Sequence, residues 1–248
     1  MMEWTDDGFV LAARPHGETA LIVSVLTRTR GRHAGLVQGG LSRLRRPAFE
    51  PGNRVIATWR ARLSEHLGAW QCEIADTASA RFIDDPIRLS ALAAAAAVAD
   101  QALPEREPHP RAYDGFLAFL SVLESEVFAA AYVGWELGLL AELGYGLDLT
   151  QCAATGANDD LAYVSPRTGK AVSLSAGEPY RDRLLHLPGF LIGRGEAGPA
   201  EVLAGLALTG HFLERHAFAP HNRPIPAART RFIDRFERLA TISGKASI

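Results

Sequence analysis

The sequence predicts an α+β multidomain protein: an N-terminal five-stranded OB-fold β-barrel, followed by an all-α C-terminal domain that carries a hairpin insert. Two observations lead to this fold class. Short runs of β-branched and apolar residues, separated by turn residues, fill the first 80 positions without a helical run between them. After about residue 80 the apolar spacing becomes helical. We therefore expect domains at 1–80 and 81–248, with the insert at 147–176.

Five stretches in the first domain are predicted to be the strands of the barrel. Turns are expected at PHGE (15–18) and TRGR (29–32), and the glycine- and proline-containing segment 39–53 is expected to be a loop. Gly31 is expected to take a positive φ in the second turn. The predicted strands are FVLAAR (9–14), ALIVSVLT (20–27), HAGLVQ (33–38), RVIATWRARL (54–63) and LGAWQCEIAD (67–76).

Five helices are predicted after residue 80. Pro86 and Pro199 each begin one, since proline is favoured in the first turn of a helix. Gly144 and Gly146 end another, because glycine readily takes the left-handed conformation found after helices. The predicted helices are 86–103, 112–123, 127–143, 199–218 and 227–241.

The charge is unevenly distributed along the chain. The 248 residues carry a formal net charge of −2, yet between residues 28 and 62 nine arginines stand against Glu50 alone. A basic stretch in an otherwise acidic chain predicts a localised contact with a polyanion. No run of about 18 apolar residues predicts a membrane span, and the acidic N-terminus has no signal core. Two distant cysteines are typical of a cytoplasmic protein with free thiols.

The basic stretch predicts nucleic-acid binding, because guanidinium groups suit phosphates and also stack on bases. In a small barrel, several loops can converge on one side and track a nucleic-acid backbone. Trp59 and Phe49 are candidate base-stacking residues, with Trp4 a third. The alternative is a solvated charged face around buried aromatic residues. The candidate phosphate-binding residues are Arg28, Arg30, Arg32, Arg43, Arg45, Arg46, Arg60 and Arg62.

Motifs for catalysis and nucleotide binding give no positive signal. GRGEAG (193–198) matches GxGxxG, but it stands among helices rather than in a βαβ unit, so we expect a loop. His211, His216 and His221 are five residues apart, a spacing that does not place two metal ligands on one helix face. There is no P-loop motif and no clear set of nucleophile, base and acid. We predict a binding protein without enzymatic activity or cofactor.

Four stretches carry a resemblance to a known family. They are EWTDDGFVLAARPHGETALIVSVLTRTRGRHAGLVQGG (3–40), LPEREPHPRAYDGFLAFL (103–120), WELGLLAELGYGLDLTQCAATG (135–156) and LAYVSPRTGKAVS (161–173). Over nearly its whole length the chain resembles the RecO family of bacterial recombination mediators, which act in repair of DNA damage.

The resemblance implies an OB-fold, a helical domain, binding of single- and double-stranded DNA, and strand annealing. It also implies action with RecR to load RecA onto DNA coated by single-strand-binding protein (SSB), and contact with the SSB C-terminal tail. The location implied is cytoplasmic and nucleoid-associated.

The insert departs from the family pattern. Many members have two CxxC knuckles, but here the first pair is Cys152 and Thr155, and the second falls near Ser173 and Ala176. A structural zinc needs about four thiolate or imidazole ligands, and no histidine lies between 152 and 176. We expect no zinc in this degenerate zinc loop, where Cys152 is the only cysteine. Apolar packing is expected to hold the hairpin instead, through Leu147, Leu149, Leu161, Tyr163 and Val164.

Two alternatives stay open. Asp148, Asp159 and Asp160 can bind a hard cation, although solvated or capping roles are more common for such residues. A second function is a protein-interaction scaffold, which docks acidic, apolar-ended tails such as the SSB tail on the helical domain. The candidate arginines for that docking are Arg111, Arg183, Arg215 and Arg223.

Overall fold

The chain forms two compact units. The computed structural model describes residues 2–63 and 65–246, with side chains as far as residue 242. The first unit comprises the described residues up to Leu120 together with Pro226–Arg229, and the second comprises Ser121–Ile225 and the described residues from Thr230 onward. The predicted domain boundary at residue 80 and the insert bounds stay predictions, since these units are groups of spatial contacts. In the part of the chain described, no helix is both long and apolar enough to span a membrane.

The first unit is built on a closed five-stranded barrel, which confirms the predicted fold. Its strands are β1 (Met2–His16), β2 (Ala20–Thr27), β3 (Gly31–Val37), β4 (Arg54–Ala61) and β5 (Ala69–Asp76). The order around the barrel is β1-β2-β3-β5-β4. Strand β1 pairs antiparallel with β2 through its second half and with β4 through its first half. A parallel bridge from Leu36 to Ala69 closes the barrel.

Strand β1 begins earlier than predicted, at Met2 rather than at residue 9. Acidic residues conceal its first half in the sequence, because isolated carboxylates are unfavourable in most strands. Each one has a partner here. Glu3 accepts a hydrogen bond from Arg60, Asp7 pairs with Arg54, and Asp6 accepts from the backbone of Thr29.

Tight turns and alternating side chains set the interior of the barrel. Gly31 has φ of 71°, as predicted, and a Cβ there would lie 1.8 Å from the carbonyl oxygen of Glu107, so no other residue fits. Inward positions of the strands are fully buried, and each such side chain contributes about 1.5–3 kcal/mol of transfer free energy. The barrel core comprises Val10, Leu21, Val23, Val25, Val37, Ala48, Phe49, Val55, Ala57, Trp59 and Trp70.

Helices complete the first unit. They are α1 (Ala78–Arg81), α2 (Pro86–Ala102) and, as far as Leu120, α3 (Pro110–Ser121). Asp85 caps α2 by accepting from the backbone of Arg88, and Pro86 stands at the first position, as predicted. Phe9 of β1 packs against Tyr113 and Phe116 of α3, with ring centroids 5.0 and 5.2 Å apart.

The second unit is mainly helical, with a small sheet. Its elements are α4 (Phe128–Glu142), β6 (Leu161–Val164), β7 (Ala171–Ser173), α5 (Leu174–Gly177), β8 (Leu185–His186), α6 (Pro199–Phe212) and, from its fourth residue, α7 (Ala227–Ala246). The predicted hairpin is present as β6 and β7, but β8 was not predicted and extends it to three strands. The helix predicted for 199–218 ends as α6 at Phe212 and continues as a π-helical turn, Leu213–Phe218.

Candidate nucleic-acid interface

The structure divides seven of the eight candidate arginines into two groups. The turn arginines are Arg28, Arg30 and Arg32 around the β2–β3 turn, with Arg60 of β4, whose partner Glu3 is next to the Trp4 ring that Arg30 covers. The loop arginines are Arg43, Arg45 and Arg46, which come after β3. In the β2–β3 pairing, Gly31 faces Thr27 and Val37 faces Leu21, so the β2–β3 turn and the loop lie at opposite ends, about 20 Å apart. The convergence on one side that the sequence left open therefore does not hold for these two groups.

Carboxylates neutralise two exposed turn arginines. Arg28 pairs with Asp114 at 3.2 Å, and Arg60 pairs with Glu3 at 2.9 Å. Exposed pairs of this kind contribute about 0–1 kcal/mol, so a phosphate can displace the carboxylate. The guanidinium of Arg30 lies 5.8 Å from the ring centroid of Trp4, a cation–π distance. These three arginines stay candidates for DNA contact, but with less available charge than the sequence suggests.

Arg32 is a structural residue. Its side chain is 17% exposed, its Nε donates to the carbonyl oxygen of Leu103 at 2.9 Å, and its Nη1 lies 3.5 Å from Asp100. The Asp100 side chain is itself only 6% exposed. Moving Arg32 to a phosphate would leave a buried carboxylate without one of its cations, which is costly. Contact of Arg32 with phosphate stays a prediction, and these contacts make Arg32 the least available of the turn arginines.

The loop arginines keep more of their charge available. Arg43 is exposed, and Arg45 donates from Nη1 to the carbonyl oxygen of Gln38 at 2.6 Å. Across residues 2–63 and 65–246, neither of them has a carboxylate partner. Arg46 has only a long contact, 3.8 Å, with Glu50. Arg62 is exposed beyond β4, and it too has no carboxylate partner within the described ranges.

The segment that carries the loop arginines is firmly held. The carbonyl oxygen of Ser42 accepts from the backbone N–H groups of Arg45 and Arg46 at 3.0 and 2.9 Å, which fixes a turn. Before the turn, the backbone of Leu41 donates to Thr19 at 3.0 Å. After it, a 3-10 helix, Arg46–Phe49, leads into the core, and the buried Asn53 amide donates to the carbonyl of Pro47 at 2.9 Å. The arginines are therefore presented from a defined loop.

The two candidate stacking residues are buried. Trp59 and Phe49 are each 1% exposed and lie in the barrel core. The indole N–H of Trp59 is shared by the carbonyl oxygens of Ala34 at 3.3 Å and Leu67 at 3.2 Å. A base cannot reach either ring while the barrel is closed, so the stacking prediction is wrong for both. The alternation of Val55, Ala57 and Trp59 along β4 was the signal that Trp59 points inward.

An aromatic group fills the barrel beside the turn arginines. Trp4 is half-buried and stacks on Trp59 at 5.8 Å, with Trp70 and His33 in edge contact. Burial, together with the nearby charge of Arg106, lowers the pKa of His33 to about 4. The His33 ring is therefore neutral near pH 7 and forms part of the packing.

The donor set of the hairpin loop does not fit zinc. The sulfur of Cys152 accepts a hydrogen bond from the backbone N–H of Ser173 at 3.3 Å. The two segments where the family has its CxxC pairs are therefore in direct contact. Burial disfavours the Cys152 thiolate, but hydrogen bonds from Ser173 and Thr155 outweigh burial and bring the thiol pKa to about 6. Within the described residues, no three His, Cys, Asp or Glu side chains are grouped to hold a metal.

Apolar burial and capping account for the rest of the loop. Leu161 and Val164 are buried, while Leu147, Leu149 and Tyr163 are half-buried. Asp148 accepts from the hydroxyl of Thr150 at 2.7 Å and from its backbone, which is a capping role and lowers the Asp148 pKa. Asp159 and Asp160 are exposed.

The GxGxxG match, the histidines and the candidate docking arginines of the second half of the chain can also be located in the structure. Residues 193–198 connect a 3-10 helix, Gly189–Ile192, to α6, so the GxGxxG match is a loop as predicted. His211 and Arg215 both contact the carbonyl oxygen of Pro166, at 3.1 Å each, which ties the β6–β7 turn to the end of α6. Arg111, Arg183 and Arg223 are exposed.

The second unit contains a cavity of about 290 Å³ whose lining is partly polar and partly apolar. It lies where α4 and α6 begin, against the second half of α7. Val127 and Leu239 at its rim are exposed. Its deeper lining includes Phe128, Val202 and Phe236.

Comparisons with known proteins identify the family. The family described as Recombination protein O N terminal matches residues 1–77, and Recombination protein O C terminal matches residues 83–224. The DNA repair protein RecO of Rhodospirillum centenum is 61% identical over 245 residues, which cover 98% of each chain. Those of Phenylobacterium zucineum and Caulobacter vibrioides (strain NA1000 / CB15N) are 56% and 52% identical, over 94% of this chain and 97% of theirs. The chain therefore belongs to the recombination protein O (RecO) family.

Proposed function

We propose that this protein is a recombination mediator in DNA repair. It binds single- and double-stranded DNA, anneals complementary strands and, with RecR, helps to load RecA onto DNA coated by SSB. The family membership supports the repair role, because the similar proteins are named DNA repair proteins. In this role the protein catalyses no reaction and uses no cofactor, and it acts on the nucleoid in the cytoplasm.

The loop arginines are the observation that carries DNA binding. Arg43 and Arg45 present guanidinium groups that no described carboxylate neutralises, on a loop whose backbone is fixed. Guanidinium groups bind phosphate oxygens through paired hydrogen bonds and release the counterions condensed on the nucleic acid. Such contacts read the backbone rather than the bases, so the binding is largely independent of sequence. That property suits a protein that anneals any two complementary strands.

A salt titration tests the electrostatic basis of this proposal. Fluorescence anisotropy with labelled single-stranded oligonucleotides gives the Kd over salt concentrations from about 50 to about 300 mM. Each neutralised phosphate on a single strand contributes a log–log slope of about −0.7, so two or three contacts predict about −1.4 to −2. A slope near zero would show that charge does not drive binding, and it would overturn the assignment of the loop arginines.

A second candidate function is docking of an acidic, apolar-ended peptide such as the SSB tail on the second unit. The cavity in the second unit supports it, because Phe128, Val202 and Phe236 contribute apolar side chains to a space large enough for one or two apolar residues. Arg238, which precedes Leu239 on α7, is exposed but is not part of the cavity lining. The predicted candidates Arg111, Arg183, Arg215 and Arg223 do not line the cavity.

Peptide binding separates the two functions. A labelled SSB tail peptide is titrated with the protein and with Leu239→Asp, which places a like charge at the rim. Loss of peptide binding with DNA binding intact supports a separate docking site. Equal peptide affinity of the two proteins would exclude this cavity. Competition between DNA and the peptide on the wild-type protein shows whether the functions are exclusive.

A further inference from the structure

Leu44 is the most exposed large apolar side chain in the described part of the chain, at 91%. The next is Ile83, at 71%. Isolated apolar residues are common on protein surfaces and need no explanation by themselves. Whether the exposure of Leu44 indicates a binding role depends on the residues around it.

Leu44 is enclosed in sequence by the loop arginines, with Arg43 before it and Arg45 and Arg46 after it. It sits inside the turn that the Ser42 carbonyl oxygen closes by accepting from both Arg45 and Arg46. The same loop buries Ala48 and Phe49 in the barrel core a few residues later. The loop thus turns some of its side chains inward, yet at position 44 it holds an apolar group outward among cations.

We propose that Leu44 is a wedge that packs against unstacked bases of a single DNA strand whose phosphates the loop arginines hold. This inference rests on the proposed function and assigns a distinct role within it. Phosphate contacts set the position of the strand, and the aliphatic side chain meets the apolar faces of the bases. Leucine is among the apolar residues that proteins insert between base steps.

The energetics suit a single strand better than a duplex. Unstacking a base step within a duplex is costly, and a single strand is already partly unstacked, so the wedge selects the single strand. Leucine offers no hydrogen bond, so it gives no preference for one base over another. Bases held apart along a fixed backbone are open to pairing with a second strand, which links the wedge to annealing.

A fluorescent base analogue tests the proposal directly. A single-stranded oligonucleotide containing 2-aminopurine brightens when that base is unstacked from its neighbours. Binding of the wild-type protein is expected to raise the signal, and Leu44→Ala is expected to remove most of the rise, while the Kd changes by less than about threefold because the phosphate contacts remain. Leu44→Phe, which restores an apolar wedge, is expected to recover the rise.

Ile83→Ala is the matched control. Ile83 is also an exposed branched aliphatic residue of the first unit, but it precedes Asp84 and Asp85, whose charge repels DNA. Its replacement is expected to leave the 2-aminopurine signal and the annealing rate unchanged.

The outcomes separate the wedge from DNA binding itself. A full 2-aminopurine rise with Leu44→Ala overturns the wedge, and so does a wild-type protein that binds the strand without any rise; in both cases the proposed DNA binding stands. Absence of DNA binding by the wild-type protein overturns the proposed function and the wedge together. If Leu44→Ala keeps the full rise but loses RecR binding, Leu44 belongs to a protein interface and the wedge is excluded.

Discussion

The two ends of the β2–β3 hairpin each carry a cluster of arginines, but the two clusters differ in how much charge is available. At the turn, Arg28, Arg32 and Arg60 each meet a carboxylate, and a group of aromatic rings packs beside them. At the loop, Arg43 and Arg45 meet none among the described residues. The difference shows that a count of arginines measures charge in the sequence, whereas binding depends on the charge that the fold leaves without a partner.

The two clusters also differ in their expected roles, because one is tied into the folded barrel and the other is available to bind DNA. We expect residues on the turn side of the barrel to affect stability first and DNA affinity only weakly. Residues of the loop are expected to affect DNA affinity with little effect on stability. Experiments on the barrel, the loop and the second unit test this division.

The largest effect is expected from Trp59→Ala. Removal of a fully buried indole costs about 3–5 kcal/mol, through lost burial and the cavity left behind. Urea unfolding followed by circular dichroism measures the loss, and Trp59→Phe serves as the milder comparison. If Trp59→Phe folds with a Tm near that of the wild type yet loses DNA affinity, the ring contacts bases after all and the division fails.

Acid is expected to destabilise the barrel through His33. Its pKa is about 4 in the folded chain and about 6.5 when unfolded, so the unfolded state binds more protons between these values. The contribution of His33 to stability is therefore complete above about pH 6.5 and is lost as the pH falls to about 4, by up to about 3 kcal/mol. Unfolding free energies measured across this pH range check the expectation. His33→Phe, which cannot be protonated, should lose less unfolding free energy as the pH falls. If the variant and the wild type lose the same amount over this pH range, the role assigned to His33 is wrong.

DNA affinity is expected to respond to the loop rather than to the turn. Arg43→Ala combined with Arg45→Ala should weaken single-stranded DNA binding about tenfold and reduce the salt slope by about 1.4, or about 0.7 for each lost phosphate contact. Arg28→Ala combined with Arg60→Ala removes the same charge from the other end and should change the Kd by less than about threefold. The reverse ranking in anisotropy titrations would assign the DNA to the turn arginines.

The smallest effect is expected from metal removal. Because the described residues contain no group of three His, Cys, Asp or Glu side chains that could hold a metal, a chelator should leave the Tm unchanged in thermal melts. Cys152→Ser should cost about 1 kcal/mol, the value of a small buried side chain with a weakened hydrogen bond. A fall in the Tm of several degrees with chelator would show that a metal stabilises the second unit.

The sequence was sufficient for the parts of the fold that local patterns determine. Strand β2 matches its predicted bounds because a run of β-branched residues lies between two turns. The start of β1 was missed, since the partners of Glu3 and Asp7 are Arg60 and Arg54, far along the chain. Strand β8 was missed because two residues carry no periodicity.

The sequence predicted which arginines belong to the candidate site, but not which of them pair with carboxylates or where they lie on the barrel. Every candidate DNA-binding arginine lies in the first unit, yet which of them is neutralised depends on Asp100 and Asp114, far away in sequence. The burial of Trp59 had a local signal in strand alternation, and the burial of Phe49 in a loop had none. Leu44 had no signal in the sequence either, because a single leucine in a basic loop has no pattern until its exposure is known.

The closure of the barrel has a consequence for how the chain acquires its structure. Met2 pairs with Ala61, and the final bridge joins Leu36 to Ala69, so neither end of the barrel is complete until residues far downstream are available. During synthesis, the first half of β1 stays unpaired until β4 has left the ribosome. The acidic residues of β1 keep this unpaired segment in solution. Pairings of such long sequence separation fold slowly. The carboxylates that concealed β1 in the sequence thus protect an unpaired strand from association with other chains until its partner arrives.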